Sequence, residues 1–215
     1  MVDWFKPAGS QAIPKSTPLE SIRYVVIDTE LTSLDHRTNR LLSIGAIVMQ
    51  GASITLGEQF YRVVNPQVPV PAETVVIHKL RSEDVQAGEP LARVLGEFSS
   101  LVTGSVLVGH SVHVDLKIVR KEMLQTGHEL DNTAIDTARV HHWLLRHGPY
   151  TDDLSVQLEK LDLATLAKHY QIETENAHHA LSDAFLTARI WQKMIYALQA
   201  KKAGTLGKLL RIASA

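Results

Sequence analysis

Hydrophobic and polar positions along the chain follow two rhythms. Tyr24-Val25-Val26-Ile27 is a short, β-branched apolar run that stops at Asp28, the pattern of a buried central strand with carboxylates at its end. Residues 41–49 and 54–63 are two more strand-like segments, and Gln50-Gly51 between them predicts a tight antiparallel hairpin. The period then lengthens. Over 90–102, Leu91, Val94, Leu95, Phe98 and Leu101 recur at helical spacing, with Pro90 suited to a first turn. Ser105-Val106-Leu107-Val108-Gly109 predicts a short buried strand, followed by a helix over 112–125 that Gly127 can cap. A last short strand is expected at 133–136. Amphipathic helices are expected at 161–170, opened by Asp162, and at 177–198. Trp143, Trp191 and Tyr196 also fall at helical spacing and are expected to serve core or packing roles, with base stacking as the alternative.

A hairpin meander followed by strands alternating with helices predicts an α/β fold, one mixed sheet with helices on its faces. No break in composition divides the chain. One domain over 21–200 is expected, between a proline-rich irregular arm over 1–20 and a short, loosely ordered tail over 201–215. At 215 residues the chain is long enough for one substantial core. It has no cysteine, which excludes a disulfide scaffold, a thiolate zinc site and a cysteine nucleophile. A net charge of −1 argues against a large phosphate-gripping surface. It leaves room for an enzyme that holds a few nucleotides and lets metal ions neutralise their charge. Neither a signal-peptide pattern nor an apolar run of ~20 residues is present, so a cytoplasmic location without membrane contact is expected.

Three segments carry candidate chemistry. In Asp28-Thr29-Glu30 the two acids, two apart on a strand, project to one face, and a dication would relieve their repulsion. A solvated strand end is the alternative reading. Gly109-His110-Ser111-Val112-His113-Val114-Asp115 links a strand to a helix and sets Asp115 in its first turn, where the helix dipole alone would also favour an acid. In Ala177-His178-His179-Ala180-Leu181-Ser182-Asp183, five residues of ideal helix turn through about 140°, so His178 and Asp183 converge only if His178 precedes the helix. Asp183 has apolar neighbours, a costly setting for an unpaired carboxylate, unless it belongs to an exposed polar stripe.

Taken together and in order, Asp28-x-Glu30, Asp115 and His178 ahead of Asp183 resemble the DEDDh exonuclease family, over about residues 24–198. That family includes the epsilon proofreading subunit of bacterial replicative polymerases, ribonuclease T and oligoribonuclease. The resemblance implies a ribonuclease H-like fold. It further implies that Asp28, Glu30, Asp115 and Asp183 hold two Mg²⁺ or Mn²⁺ ions roughly 3.5–4 Å apart, one activating a water and the other stabilising the departing 3′ oxygen. His178 would then accept the water's proton, in preference to its neighbour His179. A sister class uses tyrosine four positions before the final aspartate, where this chain has His179.

The family's first motif usually continues Thr-Thr-Gly, and here it reads Leu31-Thr32-Ser33; Ser111 and Val114 stand where Asn and Phe are customary. By the same resemblance Leu31, Thr32, Ile77, His78 and His110 are candidate contacts to the terminal nucleotide, although His78 could equally be a surface histidine. Asp136 is expected to play a structural or supporting part. The implied function is hydrolysis of phosphodiester bonds at the 3′ end of single-stranded nucleic acid, with DNA favoured over RNA. The alternatives are an RNA exonuclease of the ribonuclease T or oligoribonuclease type and a catalytically silent nucleic-acid-binding module. A DNA polymerase subunit is a further partner, recruited through the arm or the tail.

Overall fold

The computed structural model describes residues 13–33, 38–68, 80–147, 161–174 and 178–213. Three long strands come first: β1 (Arg23–Leu31), β2 (Leu41–Gln50) and β3 (Ser53–Val63). Gly51, with φ +55°, makes the tight turn between β2 and β3. Helices α1 (Ser82–Gln86) and α2 (Leu91–Val102) lead to β4 (Val106–Gly109), α3 (His113–Gln125) and β5 (Ala134–Asp136). The chain ends in α4 (Thr137–Arg146), α5 (Leu163–His169), α6 (Ala180–Ala200) and α7 (Leu206–Ala213). The sheet runs β3-β2-β1-β4-β5. Its first two pairings are antiparallel, and β1–β4 and β4–β5 are parallel. This is the mixed, helix-covered sheet expected from the two rhythms.

Strand alternation divides the core into two layers. Tyr24 and Val26 face α4, α6 and α7, where Trp191 lies edge-on to Tyr24 at 5.5 Å. Val25 and Ile27 face α2 and α3, packing with Phe98, Leu116 and Val119. Asp162 caps α5 as expected, accepting from the Thr165 N–H at 2.6 Å. Gly127, at φ +80°, follows α3 in the left-handed conformation of a helix C-cap.

Two expectations are corrected. The stretch after Gly204 is not a loose tail: α7 buries Leu206, Leu209 and Ile212 in the first core layer. Residues 15–19 are laid against it, with the Gly207 N–H donating to the Lys15 carbonyl at 2.7 Å and Leu19 fully buried. The apolar positions of a short terminal helix are too few to stand out without the surface they cover. Tyr196 is not core either. It is 59% exposed on the outer face of α6, while Trp191 is fully buried and Trp143 half-buried. No helix among the described residues is long and apolar enough to cross a membrane.

Candidate active site

The end of β1 overhangs its neighbour. Parallel pairing with β4 covers only Tyr24–Val26, so residues 28–31 extend past it over the carboxyl ends of the parallel strands. Ligands of open α/β sheets bind in this crevice. Asp28 and Glu30 point to the α6 side, and Thr29 points to the α3 side. The site is thus built from both faces of the sheet around one strand end.

Helix α3 arrives from below. The turn out of β4 is tight because Gly109 has no side chain: a Cβ there would lie 2.6 Å from Val112 Cγ2 and 3.1 Å from the Ile27 carbonyl. Ser111 takes up the bend at φ +52°, and its N–H donates to Asp136 Oδ1 at 3.2 Å. The same carboxylate oxygen caps α4 by accepting from the Ala138 N–H at 2.9 Å. The turn delivers Asp115, 7% exposed, beneath β1, where the Thr29 hydroxyl donates to its Oδ1 at 2.6 Å.

Helix α6 arrives from above, and Gly45 admits it. A Cβ on Gly45 would lie 2.3 Å from the backbone of Ala180 and Leu181, so the first turn of α6 rests directly on β2. Gly45 is the register partner of Asp28. Asp183, in that first turn, therefore reaches the β1 acids. Oxygens of Asp28, Glu30 and Asp183 lie within 4.8 Å of one another. Asp115 stands outside this trio but close enough for its charge to act on Asp28.

The two histidines part company at the helix start. His178 is exposed and left-handed, with φ +64°, and its backbone N–H donates to Asp183 Oδ2 at 3.0 Å. His179 is the N-cap residue of α6, its ring against Tyr61 with centroids 4.6 Å apart. His179 Nδ1 is buried and has no hydrogen-bond partner among the described residues.

Burial raises the proton affinity of all four acids, and repulsion from the others adds to it at Asp28 and Glu30. Asp28 is held well above the usual carboxylate range by burial, then by Asp115, Asp183 and Glu30. Glu30 is pushed up to about 7 by burial, with Asp183 and Asp115 adding to it. Asp115 is also pushed up to about 7 by burial, against the lowering effect of the Thr29 hydrogen bond. Burial raises Asp183, opposed by the His178 N–H. No lysine or arginine pairs with any of the four among the described residues. An all-oxygen, charge-rich and cation-free cluster fits divalent metal binding.

The expected nucleotide contacts fare unevenly. Leu31 closes β1 and packs half-buried against the second core layer. Thr32 is buried and tied to Arg40, its hydroxyl accepting the Arg40 N–H at 2.9 Å. His110 sits between the start of α4 and the residue ahead of the α5 cap. Its Nε2 lies 2.7 Å from the Leu161 carbonyl and its Nδ1 3.1 Å from the Thr137 hydroxyl, so both ring nitrogens are engaged within the protein. Ile77 and His78 lie outside the described residues. Sequence reasoning passed over Gly45, Thr29 and Tyr61. A glycine inside an otherwise apolar strand is a signal of close backbone approach; the other two carry none.

Comparison with known proteins converges on the same segment. The family model described as Exonuclease (RNase T) matches residues 25–191. A DNA polymerase III subunit epsilon-like protein of Rhodobacter capsulatus is 29% identical over 203 residues, 94% of this chain and 28% of its own length. The DNA polymerase III subunit epsilon of Aquifex aeolicus is 28% identical over 173 residues, 80% of each chain. Among solved structures, E. coli exonuclease I in complex with a dT13 oligonucleotide superposes with a TM-score of 0.70 at 20% identity, over 84% of this chain and 42% of that one. That likeness speaks to the fold, which is ribonuclease H-like. The chain therefore spans less than half of the Rhodobacter protein and of exonuclease I. A family match of this extent, over the segment that carries all four acids, makes the chain a member of the exonuclease family, the DEDDh type that its motifs resemble.

Proposed function

We propose that this chain is a 3′-5′ exonuclease that works with two Mg²⁺ or Mn²⁺ ions and removes nucleotides one at a time from single-stranded 3′ ends, DNA in preference to RNA. The observation that carries the reading is the meeting of Asp28, Glu30 and Asp183 within 4.8 Å, with Asp115 beneath them. When bound, such ions acidify a water and neutralise charge on the scissile phosphate and the leaving oxygen. Asp28, Glu30 and Asp183 supply oxygen ligands from the upper side of the strand end. Asp115 supplies another from below, oriented by the Thr29 hydroxyl. His178, exposed beside Asp183, takes the proton as the water attacks phosphorus and the bond to the 3′ oxygen breaks. Leu31 and the segment containing Ile77 and His78 are proposed to bound the terminal nucleotide.

The DNA preference draws on relatives named for DNA polymerase III, including PolC-type enzymes such as that of Clostridium perfringens, and on exonuclease I bound to a deoxyoligonucleotide. The same names support a polymerase subunit as partner. The exonuclease unit is read as running from about residue 15 to residue 213, because residues 15–19 are laid against α7, which belongs to its first core layer. A catalytically silent module is disfavoured because every acid is retained. The test is incubation with 5′-labelled single-stranded DNA and RNA in Mg²⁺, Mn²⁺ or EDTA. Stepwise 3′ shortening, faster on DNA, abolished by EDTA and nearly absent in Asp28→Ala, is expected. Metal-independent cleavage, or full activity in Asp28→Ala, would refute the mechanism.

A further inference from the structure

A groove of about 530 Å³ lies beside the acids, between the outer face of α6 and the β2–β3 side of the sheet. Its floor is set by strand register. Asp28, Gly45 and Tyr61 form one row across β1, β2 and β3; Val26, Ile47 and Gln59 form the next row on the same face. Two residues of strand span roughly 7 Å. Ile47 and Gln59 therefore begin the groove one row behind Asp28, past the Tyr61–His179 ring pair. Its wall is α6, with Leu181, Ser182, Phe185 and Arg189, and Glu173 stands on the opposite lip.

The wall has the chemistry of a single-strand track. Phe185 is 41% exposed and lines the groove, so its ring face is open to a ligand there. Arg189 follows one turn later and makes no hydrogen bond or ion pair among the described residues, Glu173 included. Lys193 and the exposed Tyr196 continue the stripe, since successive steps of four and three keep all of them within about 80° on a helix. Phe185 and Tyr196 are about 16 Å apart along the axis. Exposed rings on which bases stack and cations that meet the backbone are the elements of sequence-tolerant single-strand binding, and this stripe carries two of each.

We infer that single-stranded nucleic acid whose 3′ end lies among the acids leaves along this groove. An upstream base stacks on Phe185, a phosphate meets Arg189, and longer strands reach Lys193 and Tyr196. The inference rests on the proposed exonuclease reading and adds a subsite to it.

The test uses thymidine oligomers of two, six and twelve residues, with kinetics in Mg²⁺ and fluorescence anisotropy of the labelled 12-mer in EDTA. Phe185→Ala with Arg189→Gln should raise KM for the 6-mer and 12-mer about tenfold, leave kcat within about twofold and leave the dimer unchanged. Tyr196→Ala with Lys193→Gln should raise KM for the 12-mer alone. Both pairs should weaken 12-mer binding in EDTA. Unchanged KM and unchanged binding in both pairs would overturn the track and leave the face to a protein partner. If the wild-type protein cleaves no oligomer, the exonuclease reading fails by itself, and the anisotropy still decides whether the groove binds a strand.

Discussion

His178 and His179 are adjacent in sequence and opposite in circumstance. Holding a non-glycine residue at φ +64° costs of order 1 kcal/mol or more, and histidine is among the few that tolerate it. That strain is accepted where the His178 N–H is fastened to Asp183 and its ring left free at the mouth of the site. His179, with its ring on Tyr61, belongs to the wall. His178→Ala should therefore lower kcat by about 10²–10⁴ with little change in melting temperature. His179→Ala should cost less rate and more stability, since it removes a packed ring at the N-cap position of α6. Single-turnover rates and thermal midpoints of the two variants decide the matter; equal rate losses would overturn the assignment of the base.

At the scale of elements, the site depends on how closely one helix can sit on one strand. Gly45 is where α6 touches β2, and the contact is backbone to backbone. Gly45→Ala would place a methyl group 2.3 Å from the Ala180 carbonyl, and neither main chain can yield cheaply. The start of α6 must lift, taking Asp183 and His178 away from Asp28. The expected outcome is a loss of about 1–3 kcal/mol in stability, measured by chemical denaturation. A loss of activity larger than the unfolded fraction explains should accompany it. Near-normal kcat in this variant would show that the acids do not need the close approach. Gly109 plays the corresponding part for α3, letting Asp115 arrive six residues after the end of β4. The two glycines hold the two helices that carry the remaining acids.

At the scale of the whole molecule, four acids from three elements are gathered at one end of the sheet, and no lysine or arginine among the described residues compensates them. Glu30 and Asp115, pushed up to about 7, keep protons in the folded chain that an unfolded chain, with ordinary values near ~4, has released. The native state binds more protons between about pH 4 and 7, so the metal-free protein loses stability as pH rises through that window. In EDTA the thermal midpoint should fall by several degrees, about 4 °C or more, from pH 5 to pH 8. Asp115→Asn should reduce the fall, and Mg²⁺ or Mn²⁺ should restore the midpoint at pH 8. An unchanged pH dependence in Asp115→Asn would show that the buried Asp115 carboxyl does not hold the extra proton. Much of this was legible beforehand. Period-two and period-3.6 patterning determined the sheet, the major helices and the order of the acids, because burying one face of each element is a local requirement written in spacing. The β1 acids, the helix that carries Asp115 and the cap at Asp162 followed from neighbours in sequence. Tertiary structure alone decided the rest: that α7 is a packed helix, that Tyr196 faces outward, that His110 is occupied by Leu161 and Thr137, and that Gly45 and Thr29 set the geometry of the acids. Each of these depends on contact between residues far apart in the chain, and such contacts leave no periodic trace in the segments that make them.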